Sequence, residues 1–72
     1  LSFYPNPAKD WVSINASGVA TLRDMSGRLL HTSVLPPGGL LDIRALPAGT
    51  YQVEVQAAGG RERYFGKLVV GR

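Results

Sequence analysis

The sequence contains no cysteine, one histidine, one methionine and one tryptophan. Without cysteine, neither a disulfide framework nor a thiolate metal site is available. That lack assigns no compartment, because a packed domain can persist outside the cell without bridges. With His31 as the sole histidine, a nucleophile–His–acid set has to be drawn from Ser26 or Ser33 with Asp24 or Asp42. No glycine-flanked serine elbow supports such a set, and His31 reads as a solvent-facing or edge residue. Carboxylates are sparse too: Asp10, Asp24, Asp42, Glu54 and Glu62 fall in turns or on the polar side of strand patterns, and no calcium-loop spacing appears. No apolar run approaches the ~18 residues that a membrane helix needs. No window carries a capped helical repeat. Together these absences argue against an enzyme, a bound cofactor or metal, and insertion into a membrane as a helix.

Concentrated charge is also missing. Eight Lys and Arg against five Asp and Glu leave a formal charge of +3. The cations Lys9, Arg23, Arg28, Arg44, Arg61, Arg63, Lys67 and Arg72 are scattered, and the one close pair, Arg61 and Arg63, has Glu62 between its members. Proteins that track phosphates gather charge into a stripe and add stacking aromatics, so this pattern argues against nucleic-acid binding. At 72 residues, 44% hydrophobic and 18% charged, the chain is expected to form one globular domain. A domain of this size buries only about 60% of its unfolded surface, so every core residue matters.

What the chain does have is strand pattern and turn chemistry. The strongest stretch is Leu46-Pro47-Ala48-Gly49-Thr50-Tyr51 and the run to Ala57 that follows it. Tyr51, Val53, Val55 and Ala57 alternate with Gln52, Glu54 and Gln56, which predicts a strand with one apolar and one polar face. Pro47 has no N–H to give a ladder and Gly49 accepts backbone angles that other residues resist, so a sharp turn leads into this strand. A leucine, a Pro/Gly turn and a tyrosine opening the next strand are similar to the tyrosine corner of immunoglobulin-like sandwiches. Tyr51 also reads as a plain core aromatic.

Further strands are expected at residues 1–4; at 11–15, with Val12 and Ile14 inward; at 19–24, with Ala20 and Leu22 inward; and at 28–34. Two more are expected at 40–44, with Leu41 and Ile43 inward, and at 63–70, with Leu68 and Val70 inward. Asp24-Met25-Ser26-Gly27 suits a three-residue hairpin loop that closes on a bulge. Asn15-Ala16-Ser17, which has the letters of a glycosylation acceptor, reads as the turn before Val19. The 35–39 and 58–60 stretches read as breakers, and Gly66 as a bulge or bend. Trp11 is expected to cover a sheet edge, with a partner-facing role as the other reading. Six or seven short strands with regularly spaced turns predict an all-β fold: a small immunoglobulin-like antiparallel β-sandwich in which 1–72 is a single domain.

Taken in order, Tyr4-Pro5-Asn6-Pro7-Ala8, Asp24-Met25-Ser26-Gly27-Arg28, Leu46-Pro47-Ala48-Gly49-Thr50-Tyr51 and Lys67-Leu68-Val69-Val70 resemble the C-terminal sorting domains of the type IX (Por) secretion system of Bacteroidetes. The likeness departs at Arg23, where that family often has an aromatic residue, and at Gly71, which precedes the basic end. The resemblance implies a non-catalytic secretion signal, excised here from a larger secreted protein, with a covalently linked N-terminal cargo. It implies export through the periplasm and outer membrane to the cell surface or beyond. Its partners would be the outer-membrane translocon and a sortase-type cysteine peptidase that removes the domain upstream of the fold. Recognition carries over to Gly49, Tyr51, Lys67, Leu68, Val69 and Val70, and turn shaping to Asp24, Gly27 and Arg28. Self-association of the isolated domain stays open. The competing reading is a fibronectin type III-like or carbohydrate-binding accessory module using Trp11, Tyr4 and Tyr64.

Overall fold

Apolar–polar alternation fixes where the chain extends, and glycine, proline and aspartate fix where it reverses. The computed structural model describes residues 1–36, 38–57 and 59–71. Within them run β1 (Phe3–Tyr4), β2 (Trp11–Ile14), β3 (Gly18–Arg23), β4 (Leu29–Leu35), β5 (Leu40–Asp42), β6 (Gly49–Ala57) and β7 (Arg63–Val70), and no helix forms among the described residues. The strands make two antiparallel sheets: a small one in the order β1-β2-β5 and a larger one in the order β4-β3-β6-β7.

The core is the set of inward positions that the alternation predicts. Val12 and Ile14 come from β2, Ala20 and Leu22 from β3, Tyr51, Val53 and Val55 from β6, and Leu68 and Val70 from β7, all buried. Leu41 and Ile43 close the small sheet over them. Each large aliphatic side chain buried in this way contributes about 1.5–3 kcal/mol, and among the described residues the domain rests on ten of them together with the Tyr51 ring. Ile43 is fully buried although β5 ends at Asp42, and its N–H donates to Asp10 O at 2.9 Å, which continues the β2–β5 register by one pair.

Several expectations shift. Arg28 belongs to the hairpin turn rather than to β4, since its N–H is taken by the Asp24 side chain. Leu35, expected among breakers, ends β4 opposite Gly18 and is buried. Trp11 does not cover an edge: β2 is the middle strand of its sheet, and Trp11 lies on the exposed side with the Arg44 guanidinium 5.2 Å from its ring centroid. Gly66 marks no bulge, because the β6–β7 register is unbroken from Gly49↔Val70 to Gln56↔Arg63. A side chain there would instead run into the Phe3 ring, 2.7 Å from where its Cβ would sit. Asn15 binds the N-terminal segment, its Oδ1 accepting the Ser2 N–H at 2.7 Å. The turn expected at 58–60 starts on Ala58, which like Pro37 of the 35–39 cluster and Arg72 of the tail lies outside the described residues.

Candidate recognition end of the sandwich

The turn into β6 has the geometry that its sequence suggested. Tyr51 is 6% exposed, and its hydroxyl donates to Pro47 O at 2.5 Å. Its ring thus fills the rim of the core while its polar tip secures the backbone four residues upstream, as in a tyrosine corner. Gly49, the first residue of β6, is exposed and pairs with Val70; Tyr51 pairs with Leu68. The corner and the last four residues of β7 are therefore one locus built from adjacent strands. Within it Leu68 and Val70 are buried, whereas Lys67 and Val69 face outward.

The opening Tyr4–Ala8 motif grips the same strand end from the other side. Ala8 forms a parallel bridge with Val70: its N–H donates to Val69 O at 2.9 Å, and Gly71 N–H donates to Ala8 O at 2.8 Å. Val69 N–H donates to the Asn6 side-chain oxygen at 3.1 Å. Both X–Pro bonds of this segment, Tyr4–Pro5 and Asn6–Pro7, are cis. The edge of β7, which would otherwise end open to solvent, is closed from Val69 to Gly71.

The hairpin between β3 and β4 lies at this end too, because Arg23 pairs with Gln52, and Gln52 pairs with Lys67. One carboxylate oxygen of Asp24 accepts the Ser26 hydroxyl at 2.6 Å, the Arg28 N–H at 2.9 Å and the Ser26 N–H at 3.0 Å. The Arg28 side chain lies 3.4 Å from the other oxygen. Gly27 closes the turn at φ +91° and donates its N–H to Asp24 O. The register slips between Leu22 and Arg23, which is the bulge expected of this loop. The Ser26 hydroxyl, followed by the Arg28 N–H, holds the Asp24 carboxyl below the usual carboxylate range.

Four motifs far apart in sequence thus meet at one end of the sandwich. A family model described as the secretion system C-terminal sorting domain matches residues 2–71. The chain belongs to that family. No curated protein matches it, and no solved structure does. As a member, the sorting domain is a non-catalytic secretion signal of the type IX kind. It is linked to a cargo, interacts with the secretion translocon and is exported to the cell surface or the extracellular space.

The remaining candidates do not assemble. Among the described residues no three His, Asp or Glu side chains come together as a metal site would require. His31 is exposed on β4, an edge strand. Trp11 and Tyr4 lie on the small sheet and Tyr64 on the large one, so the three aromatics of the carbohydrate-binding alternative are divided between sheets. The Tyr64 hydroxyl is engaged by Glu62, and that bond raises its pKa. Sequence reading missed the clasp of Asn6 and Ala8 on Val69 and Val70. Its only signal was the pairing of a Pro-bracketed asparagine with a strand that ends the chain, and nothing local says that the two touch.

Proposed function

We propose that the end of the sandwich gathering the four motifs is the surface that the outer-membrane translocon reads. Gly49, Lys67 and Val69, which are exposed, contact it directly. Tyr51, Leu68 and Val70, which are buried, hold those three in place. Asp24, Gly27 and Arg28 fix the hairpin beside them. The observation that carries this reading is the convergence of the corner, the hairpin turn and the Tyr4–Ala8 segment on the last residues of β7. A larger secreted protein is joined upstream of Leu1 as cargo. A sortase-type cysteine peptidase then cuts between cargo and fold and passes the cargo to surface lipopolysaccharide.

The test is to fuse the 72 residues to the C-terminus of a periplasmic reporter in a host with the export machinery. The unmodified tag sends the reporter outside. Val69→Asp, in a tag whose urea midpoint is unchanged, leaves it in the periplasm. Equal export of the two would show that this end is not the one read. Removal is followed by the mass of the surface reporter, which stays at full length when the peptidase's cysteine is replaced.

A further inference from the structure

Strand β7 is an edge strand whose backbone is closed along one half and open along the other. In the β6–β7 ladder, Glu62 O accepts from Ala57 N at 2.8 Å, which directs even-numbered residues toward β6. Val69, whose N–H and C=O are taken by Asn6 and Ala8, faces the other way. Since the register is unbroken, Arg63, Phe65 and Lys67 also present their N–H and C=O groups away from β6. Among the described residues nothing bonds to them. Five residues of regular strand, about 17 Å at ~3.4 Å each, are thus a free template that stops where the clasp begins.

The side chains along this template select its occupant. Arg63, Phe65 and Lys67 all sit on the exposed face of the sheet, and Phe65 is 66% exposed. None of the three takes part in an ion pair among the described residues. A second copy of the chain is disfavoured there: antiparallel pairing centred on Phe65 would set Arg63 of each copy against Lys67 of the other, two like-charge pairs side by side. The same spacing welcomes a strand that carries a carboxylate two residues either side of an apolar residue. The opposite edge of the sheet, β4, is bulged and carries no Lys or Arg, so it makes no such selection.

We propose that the open half of β7 binds an extended acidic segment of the export machinery by strand addition, with its apolar centre opposite Phe65 and its carboxylates opposite Arg63 and Lys67. The export machinery as the source of that segment rests on the sorting reading above; the strand addition itself does not.

The probe is the peptide Thr-Glu-Thr-Val-Thr-Glu-Thr, blocked at both ends and titrated into the isotopically labelled 72-residue chain. At saturation, amide exchange at Phe65 and Lys67 slows by about tenfold or more, as for a newly paired strand. Methylating the valine nitrogen of the peptide, which leaves the protein untouched, weakens binding by about tenfold through the lost backbone bond. The Arg63→Glu/Lys67→Glu variant weakens the acidic peptide by about fivefold or more, and a peptide with Lys in place of Glu regains the loss. Unprotected amides at Phe65 and Lys67, equal binding of the Lys peptide to the unmodified chain, or a dimer paired along this edge would each overturn the proposal. In the reporter assay Arg63→Glu alone, which leaves the translocon contacts given to Gly49, Lys67 and Val69 untouched, slows export by about threefold. Unchanged export by it overturns the assignment to the machinery and leaves the sorting reading intact. Failure of the unmodified tag to export is instead a failure of the sorting reading, and the edge is then judged on the exchange data.

Discussion

At the end of the sandwich that gathers the sorting motifs, side chains tie down the backbone: the Tyr51 hydroxyl on Pro47 O, Asn6 on Val69 N–H, and Asp24 on two N–H groups of its own turn. At the opposite end, backbones themselves come into contact. A Cβ on Gly39 would lie 1.8 Å from Ile14 O, and one on Gly18 would lie 2.0 Å from Gln56 O. The Gly39 carbonyl in turn accepts the Ile14 N–H at 2.8 Å. The first end is built mostly by what its side chains add, whereas the second, beside the Asn15 tether to Ser2, depends on what its glycines leave out. A tether can be removed one hydrogen bond at a time, whereas a missing side chain can only be violated. The end proposed for recognition is therefore the more adjustable of the two, which would suit a surface read by a receptor.

The largest expected effect tests the tethered end. Tyr51→Ala removes a buried ring and should cost about 3–5 kcal/mol, a large share of the about 5–15 kcal/mol available to a domain. Tyr51→Phe keeps the ring and loses only the bond to Pro47, about 1 kcal/mol. Urea midpoints of the two variants separate packing from tether. A Phe variant as unstable as the Ala variant would mean that the hydroxyl, not the ring, holds the corner. A somewhat smaller effect tests the other end. Gly39→Ala forces a backbone at φ +65° to carry a Cβ inside the van der Waals shell of Ile14 O, costing about 2–4 kcal/mol in strain and overpacking. A midpoint shift below about 1 kcal/mol would show that the two backbones part easily and that the contrast between the ends is overstated.

The same contrast explains what could be read from sequence. The tethered end was legible because Asp24-Met25-Ser26-Gly27 and Leu46 to Tyr51 are local: donor and acceptor lie within four residues, and the residue types name the turn. The inward positions of β2, β3, β5, β6 and β7 were legible because alternation is itself a local signal. Long-range events were not. Gly38 and Gly39 read as generic breakers, although the reason for Gly39 is an approach to Ile14 across the chain. Gly66 read as a bend because a strand glycine usually marks one, and only the arrival of Phe3 from sixty-three residues upstream explains it. Trp11 read as an edge cover because nothing in its neighbourhood says that β1 and β5 flank β2 on both sides. As for the residues proposed for recognition, only the family resemblance pointed to them, while their sharing of one end follows from the register of β3, β6 and β7.

The smallest effect concerns the small sheet, where a side-chain tether stands just before the corner that runs from Leu46 to Tyr51. Asp42 accepts from Arg44 through both carboxylate oxygens, at 3.0 and 2.8 Å, and also takes the Arg44 N–H. The side-chain bonds to Arg44, with its backbone N–H next, lower the Asp42 pKa to about 2. Arg44, whose own pKa rises through the same bonds and through the charge of Asp10, lies over Trp11. A folded pKa below the unfolded value of about 3.9 means that the folded state holds the ionised form more tightly. The stability contributed is therefore complete above pH ~4 and is lost as pH falls toward ~2. Because this pair is exposed, the loss is small, but it has a private reporter in the only tryptophan of the chain. Trp11 fluorescence in the folded domain should titrate with a midpoint near 2, and in Asp42→Asn that transition should vanish while the urea midpoint becomes flatter between pH 4 and 2. A fluorescence transition that persists unchanged in the Asn variant would leave Asp42 without a part in orienting Arg44.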